Sequence, residues 1–453
     1  MELLKFQDQE YIIKQVEFEG ELLTYRAFEN IIYVANPVNE IQKLNIYVAE
    51  KYYQGEKING YNIHTAPIFM PNTVGGYKPG PVTQPGQPIF NKDDAIFEGL
   101  QHGYVVVSAG IRGRGLKDNV GVAPACIVDY KAAVRYLRYN KDRIPGNTEK
   151  IISNGTSAGG ALSSLLAVTG NHPDYEPYLE KLGAAKVRDD IFASSCYCPI
   201  TNLDHADMAY EWEFEGLNDY FMSRYLPNHK IEKITGTMND KQIRMAKELK
   251  VLFVDYFESL HLQYQNHNMT LNDLKDYIKQ LVIDSANKAI QEGNDLPMHD
   301  WLTIENNQVV DINYDAYIQF RTRMKPTPAF DNVKMGTPEN ELFGTKDIFY
   351  KHFTKYSTDH STVGGQIADN HIIKMMNPMN YIDDQKAKTA QYFRIRHGAI
   401  DRDTSLAISA ILTIKLRNAG IDVDHFYPWD IVHSGDYDLP ELFAWIDSIC
   451  QNG

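Results

Sequence analysis

The sequence predicts an α/β protein with a doubly wound, mostly parallel sheet and a large inserted, mainly helical cap. Three observations carry this. Strand and helix patterns alternate through residues 103–170 and again through 390–450. The run "GYVVVSAG" (103–110) is β-branched without polar alternation, as expected of a strand buried on both faces of a parallel sheet. Finally, "KIISNGTSAGGALSSLLAVTG" (150–170) reads strand, tight glycine-rich turn, helix.

Taken in order, "LNIYVAEKYY" (44–53) and "TAPIFMPNTVGGY" (65–77) are predicted strands, the second running into an Asn-Thr-Val-Gly-Gly loop. After the 103–115 segment, "ACIVDYKAAVRYLRYN" (125–140) spaces Ile127, Ala132, Val134 and Leu137 on or near one side of a helix. Near residue 200 the character changes. "HADMAYEWEFEGLNDYF" (205–221) is acidic and aromatic, and 239–293 is polar and helical by period. The strand, loop, helix rhythm returns at 390–420, followed by a strand in "DVDHFYPW" (422–429) and a closing amphipathic helix in "LPELFAWIDSIC" (439–450). A core is therefore expected from 1–201 and 376–453, with an inserted cap at 202–375.

At 453 residues the chain is long enough for one large core plus a second unit, since single cores stop growing near about 250–300 residues. A net charge of −14 argues against nucleic acid or an anionic membrane as the main partner. The start, "MELLKFQDQEYIIKQ", has neither the basic nor the apolar region of a secretory signal, and no apolar run approaches the roughly 20 residues of a membrane helix. The expectation is a cytoplasmic protein acting on a small molecule. Four cysteines are too few for a disulfide framework. Cys196 and Cys198 would point the same way on a strand, but no second Cys/His pair accompanies them at ligand spacing. They are expected to be buried thiols, with no metal.

Gly155-Thr156-Ser157-Ala158-Gly159 fits G-x-S-x-G, the nucleophile elbow of the α/β-hydrolase fold, in its required strand, turn, helix context. A serine hydroxyl is a poor nucleophile at neutral pH, so it needs an imidazole to take its proton and a carboxylate to orient that imidazole. In this fold the chain order is Ser, acid, His. Only His425 and His433 follow the late element that should carry the acid. His425 falls inside a predicted strand and reads as structural, whereas His433 lies in the loop "WDIVHSGDYD" where a base belongs. "RIRHGAIDRDT" offers Asp401 and Asp403. Asp401 comes first after the Gly398 turn and is taken as the orienting acid, leaving Asp403 for another task or for capping the helix that starts near Thr404. Donors to the developing oxyanion are expected from the backbone of Ala158 and of Gly75 or Gly76. No cofactor is needed.

Several longer blocks are more specific. "MPNTVGGYKPGP", "AGIRGRG", "ISNGTSAGGA", "SSCYCPITNLDHADMAYEWEF", "RMKPTPAFD", "PENELFG", "RIRHGAIDRDTS" and "PWDIVHSGDYDLPELFAWID" together resemble the bacterial tannases, from about residue 20 to the C-terminus. These are serine esterases that release gallic acid from gallate esters and galloyl tannins. The resemblance implies the same triad, Ser157, Asp401 and His433. It further implies that Lys325, Glu339 and Asp403 meet the galloyl hydroxyls. Carboxylates that accept from phenolic O–H groups beside an ammonium suit that task. The aromatics of "MAYEWEF" fit either an aryl site or a packed hinge between core and cap. A feruloyl or other hydroxycinnamoyl esterase is the nearest alternative. A catalytically silent hydrolase fold used for binding, or a peptidase of the same fold, fits the residues less well.

Overall fold

The computed structural model describes residues 4–88, 93–225, 231–294 and 299–451. The central strands are β1 (Ile12–Phe18), β2 (Glu21–Ile32), β3 (Lys43–Ala49), β4 (Pro67–Pro71), β5 (Val105–Ala109), β6 (Asn147–Thr156) and β7 (Ala193–Tyr197). Three two-stranded ribbons follow: β8 (Asp219–Tyr225) with β9 (Ile231–Thr237), β10 (Gln263–Tyr264) with β11 (His267–Asn268), and β12 (Leu302–Glu305) with β13 (Gln308–Ile312). β14 (Tyr392–Arg396) and β15 (Asp422–Phe426) complete the nine-stranded sheet, ordered β1-β2-β3-β5-β4-β6-β7-β14-β15. The run from β5 to β15 is parallel, while β1, β2 and β3 are antiparallel. The expected α/β-hydrolase fold is therefore present. β14 pairs directly with β7, so the chain leaves the sheet after residue 197 and re-enters beside the point it left.

β4, β5 and β7 are buried along their whole length, the state of parallel strands covered on both faces. The helix Ala125–Tyr139 departs from the one-sided burial its spacing suggests. It is buried through Arg138, and its charges are paired: Asp129 with Arg112 at 2.7 Å, and Lys131 and Arg135 with Asp189 at 2.8 Å each. Buried charges persist where such partners offset their desolvation.

Other departures are local. The 44–53 strand stops at Ala49 and turns into the 3-10 segment Glu50–Gln54. The first twenty residues, to which no element was assigned, contribute the edge strand β1, whose Ile12 and Ile13 face solvent. Within 202–375, helices such as Asp240–Ser259 and Leu271–Gln291 are joined by the three ribbons, so strands do alternate with helices there. The strands of these ribbons run from two to seven residues, and none repeats an alternating apolar pattern long enough to mark a half-buried sheet strand. Among the described residues, no helix is long and apolar enough to cross a membrane.

Candidate active site

Ser157 joins β6 to the helix Ala158–Val168 with φ 61° and ψ −124°, a backbone region that side chains rarely tolerate. Such strain at a strand-to-helix turn is how a serine is presented at the edge of a sheet. The surrounding glycines exist because nothing larger fits. A Cβ on Gly155 would lie 2.4 Å from Gly159 O, one on Gly159 would lie 2.6 Å from Asn72 Oδ1, and one on Gly160 would lie 2.6 Å from Tyr197 O. Replacing a glycine with alanine inside a helix ordinarily stabilises it by about 1 kcal/mol. At Gly159 the sign reverses. Gly159→Ala is expected to lower stability by about 1–3 kcal/mol, read as a fall in Tm, because the methyl group overpacks against the side chain of Asn72 and the backbone of Val74. A raised Tm would refute this packing account.

Asn72 fixes the facing loop to the elbow. Its amide nitrogen lies 3.0 Å from Asn154 O and 3.1 Å from both Gly159 O and Ser163 Oγ, and its oxygen accepts from Val74 N at 3.2 Å. The loop that follows carries Gly75 and Gly76. Gly75 O accepts from Lys78 N at 3.0 Å, and Gly76 O accepts from Arg114 Nε at 2.6 Å. Arg114 also pairs with Glu341 at 2.5 Å, tying this loop to the 338–342 helix. Ala158 is the first residue of its helix, so its N–H has no intrahelical acceptor.

The late loops interlock above the same strand ends. Ala399 N donates to Pro428 O and Ile400 N to Ile431 O, and a Cβ on Gly398 would collide with Ile431 O at 2.1 Å. These contacts bring His433 Nδ1 within 2.7 Å of Asp401 Oδ2. The His433 loop in turn lies against the elbow, since a Cβ on Gly435 would fall 1.8 Å from Thr156 Oγ1. Cys198 Sγ, at the end of β7, is 4.0 Å from His433 Nε2 and 3.3 Å from Ser434 O. Asp401 is fully buried. Burial alone would raise its pKa, but the charge and hydrogen bond of His433, together with the His397 ring 3.2 Å away, hold it well below the usual carboxylate value. Burial disfavours the His433 imidazolium, yet the Asp401 carboxylate outweighs burial and raises it well above the ordinary imidazole range.

Cys198, Asp401 and His433 bring donor atoms within 4.8 Å of one another, the one cluster of possible metal ligands among the described residues. Asp401 is already engaged through both oxygens and His433 through Nδ1, which describes a carboxylate–imidazole pair better than an open metal site. All four cysteines are buried free thiols, as expected.

Lys325 Nζ donates to Asp403 Oδ1 at 2.5 Å and to Asp403 O at 2.7 Å. Burial works against the ammonium, but Asp403 and Glu339 outweigh it and raise its pKa. Glu339 is half-buried, and burial raises its carboxyl despite the nearby Lys325 charge. The three residues thus share one electrostatic neighbourhood beside Asp401. Asp403 does not cap the following helix, because Ser405 does. His425 is structural, its Nδ1 bonded to Tyr277 OH at 2.9 Å. The "MAYEWEF" segment is tightly packed. Tyr210 and Phe214 are buried, while Glu211 and Glu213 form fully buried ion pairs with Arg323 and Arg321.

Three contributors were not singled out from the sequence. His397 places Nε2 3.2 Å from Asp401 Oδ2, Arg321 donates to Asp401 O, and Tyr210 bridges two loops. For the first, the four-residue step in "HGAID" is a faint signal. For the second, the matched spacing of "EWE" and "RTR" is another.

The sheet order, the strained elbow and the two late loops define an α/β-hydrolase. Residues 87–208 match the BD-FAE family model. Over 117 residues the chain is 32% identical to Esterase LipQ of Mycobacterium tuberculosis, spanning about a quarter of that protein (27%) and 26% of this chain. The structural likeness is far more extensive. A tannase from Lactobacillus plantarum is 45% identical with a TM-score of 0.96, covering 99% of this chain and 100% of that one. A Fusobacterium nucleatum tannase is 46% identical with a TM-score of 0.93, covering 99% of each chain. A tannin acyl hydrolase in complex with ethyl gallate is 46% identical with a TM-score of 0.94, again over 99% of each chain. The chain belongs to the tannase family and is a carboxylic ester hydrolase. The likeness includes the amino-terminal segment, where the sequence motifs offered little.

Proposed function

We propose that this protein hydrolyses gallate esters through a galloyl-serine intermediate, with Ser157 as nucleophile, His433 as general base and Asp401 as the group that orients His433. The observation that carries the reading is the Lys325–Asp403 pair, two residues beyond the carboxylate bonded to His433. His433 removes the Ser157 proton as the hydroxyl attacks the ester carbonyl. The oxyanion is met by the backbone N–H of Ala158 and one from the Gly75–Gly76 loop. His433 then returns its proton to the departing alcohol. Water, activated by the same imidazole, cleaves the galloyl ester and regenerates Ser157. Lys325, Glu339 and Asp403 hold the ring hydroxyls, and residues 202–375 form the cap that delivers Lys325 and Glu339.

A hydroxycinnamoyl esterase would share the triad but lengthen the distance between ring and carbonyl. Release of gallic acid from methyl gallate and of ferulic acid from methyl ferulate, followed by chromatography, separates the two. The expected result is rapid release of gallic acid and at least a roughly hundredfold lower kcat/KM for the ferulate ester. Equal rates, or preference for ferulate, would overturn the galloyl assignment.

A further inference from the structure

The phenol hydroxyl of Tyr210 uses its whole hydrogen-bonding capacity on backbone groups of two separate loops. It accepts from Met324 N at 3.1 Å and Lys325 N at 3.0 Å, and donates to Arg402 O at 3.1 Å. One loop carries Lys325. The other carries Asp401 and Asp403. Tyr210 is fully buried, its ring tilted against Phe214 and edge-on to Phe330, so the hydroxyl has little freedom to follow either loop if one moves.

We infer that the Tyr210 hydroxyl is a positioning group that sets the spacing between Lys325 and the 401–403 loop, and through it the selectivity of the site for hydroxylated aryl esters. The inference rests on the proposed galloyl site. Lys325 and Asp403 carry opposite charges at 2.5 Å, a contact that ring hydroxyls must open or share on binding. Charged groups recognise hydroxyls well only when their backbones are held at the correct separation beforehand. Arg323 contributes to the same frame. Its Nε donates to Lys325 O at 2.7 Å, while its remaining nitrogens engage Glu211 on the Tyr210 helix.

Asp401 does not depend on Tyr210 in the same way. Its carboxylate is held by His433 and His397 and, within its own turn, by Asp403 N at 2.8 Å, and its carbonyl by Arg321; none of these groups bonds the phenol. Loss of the hydroxyl therefore falls on Lys325 and Asp403 and spares the His433–Asp401 pair. A merely structural tyrosine would weaken turnover of every ester alike.

The test is kcat and KM for methyl gallate and methyl benzoate in the unmutated protein and in Tyr210→Phe, with Tm as a control. The expected result is a roughly tenfold or greater fall in the gallate-to-benzoate ratio of kcat/KM, mostly through KM for methyl gallate, with methyl benzoate changed by no more than about threefold. Equal losses on both esters, or no change in the ratio, would overturn the inference and leave the galloyl reading intact. If the unmutated protein does not distinguish the two esters, the galloyl reading itself fails and takes this inference with it. Should Tyr210→Phe not fold, 4-aminophenylalanine at position 210 serves instead, since it keeps a donor to Arg402 O but accepts poorly from the two amides. An unchanged ratio in that variant would equally overturn the proposal.

Discussion

The Ser157→Ala protein is expected to keep its Tm within a few degrees and to bind gallate, while its kcat on methyl gallate falls by roughly 10⁴-fold or more. The separation of the two effects follows from the geometry. The elbow is held through backbone groups that the substitution leaves in place, since Ser157 N donates to Tyr197 O at 3.0 Å and Ser157 O accepts from Ala161 N at 2.9 Å. Alanine at φ 61° costs no less strain than serine, so the turn gains no new freedom. Only the attacking oxygen disappears. The backbone donors and aryl site proposed above would still bind ester, so a residual activity above the uncatalysed rate is expected. Gallic acid release under saturating ester, set beside a thermal melt, checks both halves. Retention of more than about a tenth of the parental kcat would remove Ser157 from the role proposed for it.

The assignments that needed only chain order came from the sequence readily. The fold places acid and base in the loops after its last strands, so counting aspartates and histidines beyond the inserted segment left Asp401 and His433 as the natural pair, and they are hydrogen-bonded. The long apolar strands were equally plain, because burial on both faces removes polar alternation. What stayed hidden depends on contacts between distant segments. Nothing local marks Tyr210 as the bridge between residues 324–325 and 402, and only the matched spacing of "EWE" and "RTR" hints that Glu211 and Glu213 partner Arg323 and Arg321 more than a hundred residues away. In a single helix two acidic residues two positions apart lie on different faces, so their joint burial becomes visible only once Arg321 and Arg323 are brought beside them. The helix Ala125–Tyr139 shows the same limitation, for its apolar spacing carries no sign that Arg112 and Asp189 bury its charged side as well.

Removing ring hydroxyls from the substrate should lower kcat/KM stepwise, with methyl gallate exceeding methyl benzoate by roughly 10³-fold or more. A hydrogen bond to a charged group contributes about 1.5–3 kcal/mol, and two or three of them compound to that range. A pocket recognising only the aromatic face could not discriminate so strongly, because benzoate and gallate rings stack alike. The three residues do not contribute equally. Lys325 and Asp403 already satisfy each other at 2.5 Å, so part of what ring hydroxyls contribute there is offset by opening that pair. Among the described residues Glu339 forms no direct ion pair, although the charges of Lys325 and Arg114 act on it, and its carboxyl is raised by burial. A ring hydroxyl would give it a partner besides its own backbone N–H, so Glu339 should carry the largest share of the discrimination. Glu339→Ala is accordingly expected to flatten the series by roughly tenfold to a hundredfold, cutting kcat/KM for methyl gallate while leaving methyl benzoate nearly unchanged. Comparable kcat/KM for the two esters in the unmutated protein would refute the galloyl site altogether. A series that stays steep in Glu339→Ala would move the recognition onto Lys325 and Asp403 instead.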